Sequence, residues 1–340
     1  MILCFVPDSN TIHHFNQNKY DSFLRSIPFH QLPCSHCAHR GCLHRHAYYT
    51  RRLYIAEIDS FVIIRVLRVR CTRCGTTHAL LPHFVIPYQH IPLIDTASSY
   101  QNEKAVGEAI RKSGIPREEL FITTKAYIQE MGYEKTKLAF ERSLKNLGLD
   151  YLDLYLIHMP FGDYYGAWRA MEELYEQGKI RAVGVCNFLP DRLLDLCKNV
   201  RIRPMINQIE HHPHDQRDEE LALMKKLGVQ PEAWAPFAEG LKGMFSEPLI
   251  LELAQKYHKT PGQILLRWNI ENGCVVIPKT VHESRMRENL DIWDFQLSKQ
   301  DLERMKELDK DVPSMLDTRD IDEIERVYAY LDDPVLTTLK

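Results

Sequence analysis

Asp95, Tyr100, Lys125 and His158 are side chains that together can hand a proton to a carbonyl oxygen. An ordinary tyrosine titrates near about 10, so at neutral pH its phenol is protonated and can act as an acid. A neighbouring lysine favours the phenolate left after transfer, a carboxylate holds that ammonium, and an imidazole can orient or polarise the carbonyl by hydrogen bonding. Each residue also has an ordinary reading. Asp95 can cap the helix that follows, Tyr100 can be a packed aromatic, Lys125 a snorkelling surface residue and His158 a satisfied core histidine. Position favours the chemical reading, because all four lie at or just beyond the end of an expected strand, and in a barrel of parallel strands those ends converge on one face.

The elements that must position them are legible from Leu93 onward. Short apolar strands are expected at Leu93–Thr96, Leu120–Lys125, Leu152–His158, Ala182–Asn187, Met205–Glu210, Gln230–Pro236 and Val275–Lys279. Amphipathic helical stretches separate them. Glu103–Lys112 offers Val106, Ala109 and Ile110 on one face, and Glu134–Leu147 offers Leu138, Leu144 and Leu147. Pro248 and Pro261 stand where helix starts tolerate proline. Strand–helix alternation of this length implies a parallel sheet, most simply a (β/α)8 barrel of the TIM type.

Residues 94–312 closely resemble the aldo-keto reductases. The likeness runs colinearly through Ile94–Glu103, Phe121–Lys125, Ser143–Pro160, Gly178–Arg181, Gly184–Phe188, Asn207–Glu210, Ala233–Pro236 and Ile277–Thr280. It implies a (β/α)8 fold, reduction of small aldehydes or ketones with NADPH, and Asp95, Tyr100, Lys125 and His158 as the catalytic set with Tyr100 as general acid. It also assigns Asn187 and Gln208 to a nicotinamide carboxamide and Trp234 to the face of the ring. Lys279, Thr280 and Arg285 match the family's clamp for a 2′-phosphate, with Glu288 and Asn289 reaching the adenine. A lysine, a hydroxyl and a guanidinium suit one phosphate; their ordinary reading is a solvated helix start. The family's first strand and helix have no counterpart before Ile94, so the resemblance implies a barrel lacking its first βα unit, with two unpaired sheet edges. Phe61–Val69 is a candidate to fill that gap, although its arginines suit a barrel interior poorly.

Upstream the composition changes. Residues 1–93 carry 10 Lys and Arg against 4 Asp and Glu, and hold six of the nine cysteines and ten of the sixteen histidines. A boundary near residue 93 follows. Cys34 and Cys37 form one CxxC pair, and Cys71 and Cys74 a second, followed by Gly75. Two such turns can complete a tetrahedral zinc site, with buried thiols or disulfides as the alternatives. Leu53–Ile58 and Ser60–Arg70 read as the intervening strands, so the segment from 34 to 88 is expected to be a small β-rich zinc-ribbon-like module. It resembles the zinc ribbons found with transposase-like proteins. Arg65, Arg68 and Arg70 suit phosphate contact, and equally the solvated face of a hairpin. Residues 1–33 remain unassigned, and 313–340 read as a charged tail with a helix near Ile321–Leu331.

Apolar content of 44% and charged content of 26% are ordinary for a globular protein, and no apolar run is long enough to cross a membrane. The start lacks the basic flank of a secretory signal, so the cytoplasm is the expected compartment. Three functions follow: a carbonyl reductase, an inactive fusion product with a truncated barrel, or a nucleic-acid-binding zinc module carrying a barrel remnant. Substrate and oligomeric state are not readable at this level.

Overall fold

A computed structural model describes residues 2–5, 21, 25, 41, 43–55, 60–74, 77–82 and 93–332. The chain divides into two units, Met1–Pro92 and Leu93–Lys340. The first holds β1 (Ile2–Phe5), β2 (Leu43–Ile55), β3 (Ser60–Cys71) and β4 (Thr77–Pro82), in the sheet order β1-β4-β3-β2. Leu67, Val69 and Cys71 are buried while Arg70 is exposed, the alternation of a half-covered strand.

The expected hairpin is present but longer, since β2 begins at Leu43 rather than Leu53. The expected zinc ribbon is not shown. Cys34 and Cys37 lie outside the described residues, and among the described residues no three ligating side chains gather. Cys71 ends β3 and accepts a hydrogen bond from the Cys74 N–H at 3.5 Å, so the second CxxC pair does form a tight turn. Among the described residues that turn joins a four-stranded sheet.

From Leu93 the alternation is as the apolar pattern predicts. Strands β5 (Leu93–Asp95), β6 (Phe121–Ala126), β7 (Leu154–Ile157), β8 (Val183–Cys186), β9 (Ile206–Glu210), β10 (Gln230–Trp234) and β11 (Val275–Val276) pair in parallel, each beside the next in sequence. Helices α1 (Glu103–Ser113), α2 (Tyr133–Leu147), α3 (Tyr164–Glu176), α4 (Pro190–Asn199) and α5 (Asp218–Leu227) follow the first five strands. Between the last two strands lie α6 (Pro248–Tyr257) and α7 (Pro261–Glu271), and beyond β11 come α8 (Glu283–Leu290), α9 (Lys299–Lys306) and α10 (Ile321–Ala329). Every residue of β6 is buried, as expected of a strand covered on both faces. Helix α7 starts at a capping box in which the Thr260 hydroxyl accepts from the Gln263 N–H and the Gln263 side chain accepts from the Thr260 N–H.

The sheet has seven strands, with β5 and β11 at its edges and no strand joining them among the described residues. Phe61–Val69 does not fill the gap, because it pairs with β2 in the other sheet. Leu138, expected on the buried face of α2, is 70% exposed, while Leu144 and Leu147 face the core as expected, together with Ala139, Phe140 and Ser143. Trp168 is a core residue, fully buried with its indole N–H on the Ile202 carbonyl at 2.9 Å. Among the described residues no helix is long and apolar enough to cross a membrane.

Candidate active site

Lys125 lies in β6 with its side chain fully buried, which for an ammonium demands partners. It has them. Its Nζ donates to Asp95 Oδ1 at the end of β5, to the Thr96 carbonyl at 3.1 Å and to Tyr100 Oη at 3.5 Å. The three hydrogens of the ammonium are thereby committed to a carboxylate, a backbone oxygen and a phenol. Tyr100 sits in a short 3-10 turn, Ser98–Tyr100, and is 49% exposed, so its oxygen is anchored from inside while the ring faces the mouth of the sheet.

His158 directly follows β7. Its Nδ1 shares a hydrogen bond with Ser99 Oγ at 3.3 Å, and its ring is met edge-on by Tyr100 at 5.5 Å and by Tyr127 at 5.4 Å. All four residues expected to carry the chemistry therefore meet at the C-terminal ends of β5, β6 and β7.

The electrostatics suit proton donation. Burial pushes the Tyr100 phenol up and Lys125 draws it down; the net shift is upward, so the phenol keeps its proton at neutral pH. Burial lowers the Lys125 ammonium, but Asp95 leads the groups that outweigh it, and the net shift is upward. Burial, with the Lys125 charge, holds His158 well below its ordinary value, so its ring is neutral and acts as a hydrogen-bonding group.

Beside this set lie residues expected to hold a dinucleotide. Asn187 follows β8 with φ 61°, a left-handed conformation that asparagine tolerates. Its Oδ1 accepts from Trp234 Nε1 at 2.9 Å, and its Nδ2 donates to the His158 carbonyl at 3.3 Å. Gly184 in β8 allows the strand to reach that position, since a Cβ there would stand 2.6 Å from the Ile206 carbonyl oxygen. Gln208 in β9 is buried, with Nε2 3.0 Å from Asp95 Oδ2 and 2.5 Å from Glu232 Oε1.

Lys279, Thr280, Arg285, Glu288 and Asn289 lie between the end of β11 and the end of α8, far in sequence from Asp95, Tyr100, Lys125 and His158. Lys279 and Arg285 are exposed, and neither has an ion-pair partner among the described residues. The Glu288 carboxylate is engaged by the Thr260 hydroxyl.

Sequence reasoning missed Ser99, Glu232 and Tyr330. Tyr330, just past α10, meets the Tyr127 ring at 5.8 Å, and its carbonyl accepts from Gln129. Only Glu232 left a signal: a charged residue two positions before Trp234 shares its face of β10, which points inward.

A parallel α/β sheet that gathers a phenol, an ammonium and an imidazole at its strand ends has the groups needed to protonate a carbonyl oxygen, and the family match places it among the oxidoreductases. Residues 88–310 match the model of the Aldo/keto reductase family, and the chain belongs to that family. It is similar to the glyoxal reductase of Bacillus subtilis (strain 168), 48% identical over 219 residues, covering 64% of this chain and 79% of that protein. It is also similar to the methylglyoxal reductase DkgA of Escherichia coli (strain K12), 45% identical over 220 residues, covering 64% of this chain and 79% of that protein. Among solved structures, an aldo-keto reductase of Bombyx mori in complex with NADP is 36% identical with a TM-score of 0.64, covering 70% of this chain and 85% of that one. Residues 34–114 match a domain of unknown function (DUF6431), which lends no support to a zinc or nucleic-acid role.

Proposed function

We propose that this chain reduces the carbonyl group of small aldehydes and ketones with NADPH, and that Tyr100 is the general acid. The observation that carries the proposal is the buried Lys125 ammonium, which touches Asp95, the Thr96 carbonyl and Tyr100 Oη at once. Relatives named for glyoxal and methylglyoxal support small dicarbonyls as the substrate class.

The donor set fits the cofactor. Asn187 and Gln208 offer amide groups suited to a carboxamide, Trp234 is half-buried beside Asn187, and Lys279 and Arg285 are cations without ion pairs among the described residues, suited to a phosphate. When bound, NADPH supplies the hydride. The chain's own residues do the rest. His158, neutral and fixed through Nδ1 by Ser99, offers its other ring nitrogen to the carbonyl oxygen. Tyr100 gives that oxygen its proton as negative charge develops there. Lys125 then stabilises the phenolate, and Asp95 keeps the ammonium in place.

Tyr100→Phe tests the acid. With methylglyoxal and NADPH, turnover should fall by about 10²–10⁴, the usual share of a general acid. Saturable quenching of NADPH fluorescence should persist. Turnover retained by the phenylalanine variant would overturn Tyr100 as the acid. The unjoined edges at β5 and β11 favour a second reading, a chain that keeps the site without turnover. Absence of turnover of methylglyoxal with NADPH by the wild-type protein would establish that reading instead.

A further inference from the structure

Glu232 lies in the middle of β10 and is 1% exposed. Its Oε1 accepts from Gln208 Nε2 at 2.5 Å, and its Oε2 is buried with no hydrogen-bond partner among the described residues. The same amide nitrogen donates to Asp95 Oδ2 at 3.0 Å. A primary amide has two hydrogens, and here both go to carboxyl groups, while the Gln208 oxygen accepts from the Cys186 thiol at 3.8 Å and keeps a second lone pair for a bound carboxamide. A hydrogen-bonded chain thus runs Tyr100–Lys125–Asp95–Gln208–Glu232.

Two carboxyl groups face one ammonium in a water-poor interior. The groups turned toward Glu232 are Asp95 from β5, Lys125 from β6, Cys186 from β8 and Gln208 from β9. Asp95 takes the ion pair with Lys125, which leaves Glu232 without a cation in contact. Burial first, and the Asp95 charge second, push the Glu232 carboxyl up to about 7. Trp234 stands two residues further along the same face, roughly 7 Å away by strand rise.

We propose that Glu232 is a positioning residue that, by taking or losing a proton beneath Gln208, sets the preference of this site between the reduced and the oxidised dinucleotide. The inference rests on the dinucleotide reading above. A reduced nicotinamide ring is neutral and an oxidised ring is cationic. Protonated Glu232 leaves Lys125 and Asp95 balanced and favours the neutral ring. Ionised Glu232 adds a buried negative charge, which favours the cationic ring and disfavours any neutral group that excludes water from it.

The test is the ratio of dissociation constants, Kd(NADPH)/Kd(NADP+), measured by intrinsic-fluorescence titration from pH 6 to 8.5. Ionisation of the cofactor phosphate is common to both forms and cancels in the ratio. The wild-type ratio should rise by about threefold or more across this range, with a midpoint near neutrality. Glu232→Gln, which mimics the protonated carboxyl, should hold the ratio flat, with Glu232→Ala as a second variant if the first does not fold. A flat wild-type ratio overturns the proposal without recourse to any variant, and so does a slope that survives in either variant. Failure of both nucleotides to bind at every pH overturns the dinucleotide reading itself, a result distinct from binding with a flat ratio.

Discussion

Gln208 Nε2 lies 3.0 Å from Asp95 Oδ2, although three strands separate β9 from β5 in the sheet. In a flat sheet at about 4.8 Å per strand, these side chains would be roughly 19 Å apart. The contact exists because the sheet curls until the inner faces of β5 and β9 meet. That curl brings the candidate proton-transfer residues and the candidate cofactor amides to one place, and it persists with the edges β5 and β11 unjoined among the described residues.

Removing the ammonium should weaken the fold as well as the chemistry. In Lys125→Met the Asp95 carboxylate keeps Gln208 but loses its ion pair in a nearly dry site. Breaking a buried pair from one side costs about 3–5 kcal/mol, so the melting temperature should fall by several degrees. Adding Asp95→Asn should recover part of the loss. A double variant no more stable than the single one would show that the pair is not what the lysine contributes.

Discrimination between NADPH and NADH should depend on the exposed cations beside α8. Lys279→Ala and Arg285→Ala should each weaken NADPH binding by about tenfold, the loss of one charge-assisted contact, and leave NADH nearly unchanged. Titration of both nucleotides against each variant gives the comparison. Equal losses for the two would remove these residues from the phosphate contact.

Stability should decline in acid because of His211. Its ring stacks on Trp268 at 4.6 Å, and Nδ1 is 2.7 Å from Asn269 Oδ1. Burial, opposed by the Asn269 bond and assisted by His212, lowers it to about 4. An unfolded histidine titrates near about 6.5, so between these values the unfolded chain binds the extra proton. The contribution is complete above pH 6.5, shrinks as pH falls, and is exhausted near pH 4, for a total of roughly 3 kcal/mol. Urea midpoints of His211→Phe should lack this slope between pH 6.5 and 4 while the wild-type protein shows it.

Gly184→Ala should destabilise the protein by about 1–3 kcal/mol through overpacking. The added Cβ would meet the Ile206 carbonyl oxygen at 2.6 Å and Leu156 Cδ2 at 2.7 Å, so β8 must shift against both neighbours. Because Asn187 follows β8 directly, cofactor affinity should fall in step with the melting temperature. An unchanged melting curve would show that the strands can spread without cost.

Much of the fold was legible because its signals are local. Runs such as Phe121–Ala126 and the amphipathic spacing of Glu103–Ser113 report their own secondary structure, and seven strands emerge where the apolar pattern places them. Leu138 shows the limit of that reading. It is apolar and lies in the expected helix, but Ala139, Phe140, Leu144 and Leu147 set the buried stripe, and Leu138 falls outside it. Tyr330 reaches the Tyr127 ring only because the tail folds back across the mouth, which periodicity cannot show.

The sequence by itself determined which residues end each strand, and so which polar groups were available at one face: Asp95, Tyr100, Lys125 and His158. Only the tertiary structure decided which of them touch. Strand alternation says toward which face of the sheet a side chain turns, while the curvature of the sheet sets which opposite faces converge. Glu232, on the strand face it shares with Trp234, thereby becomes a buried partner of Gln208, and Lys125 exchanges solvent for Asp95, a carbonyl and a phenol.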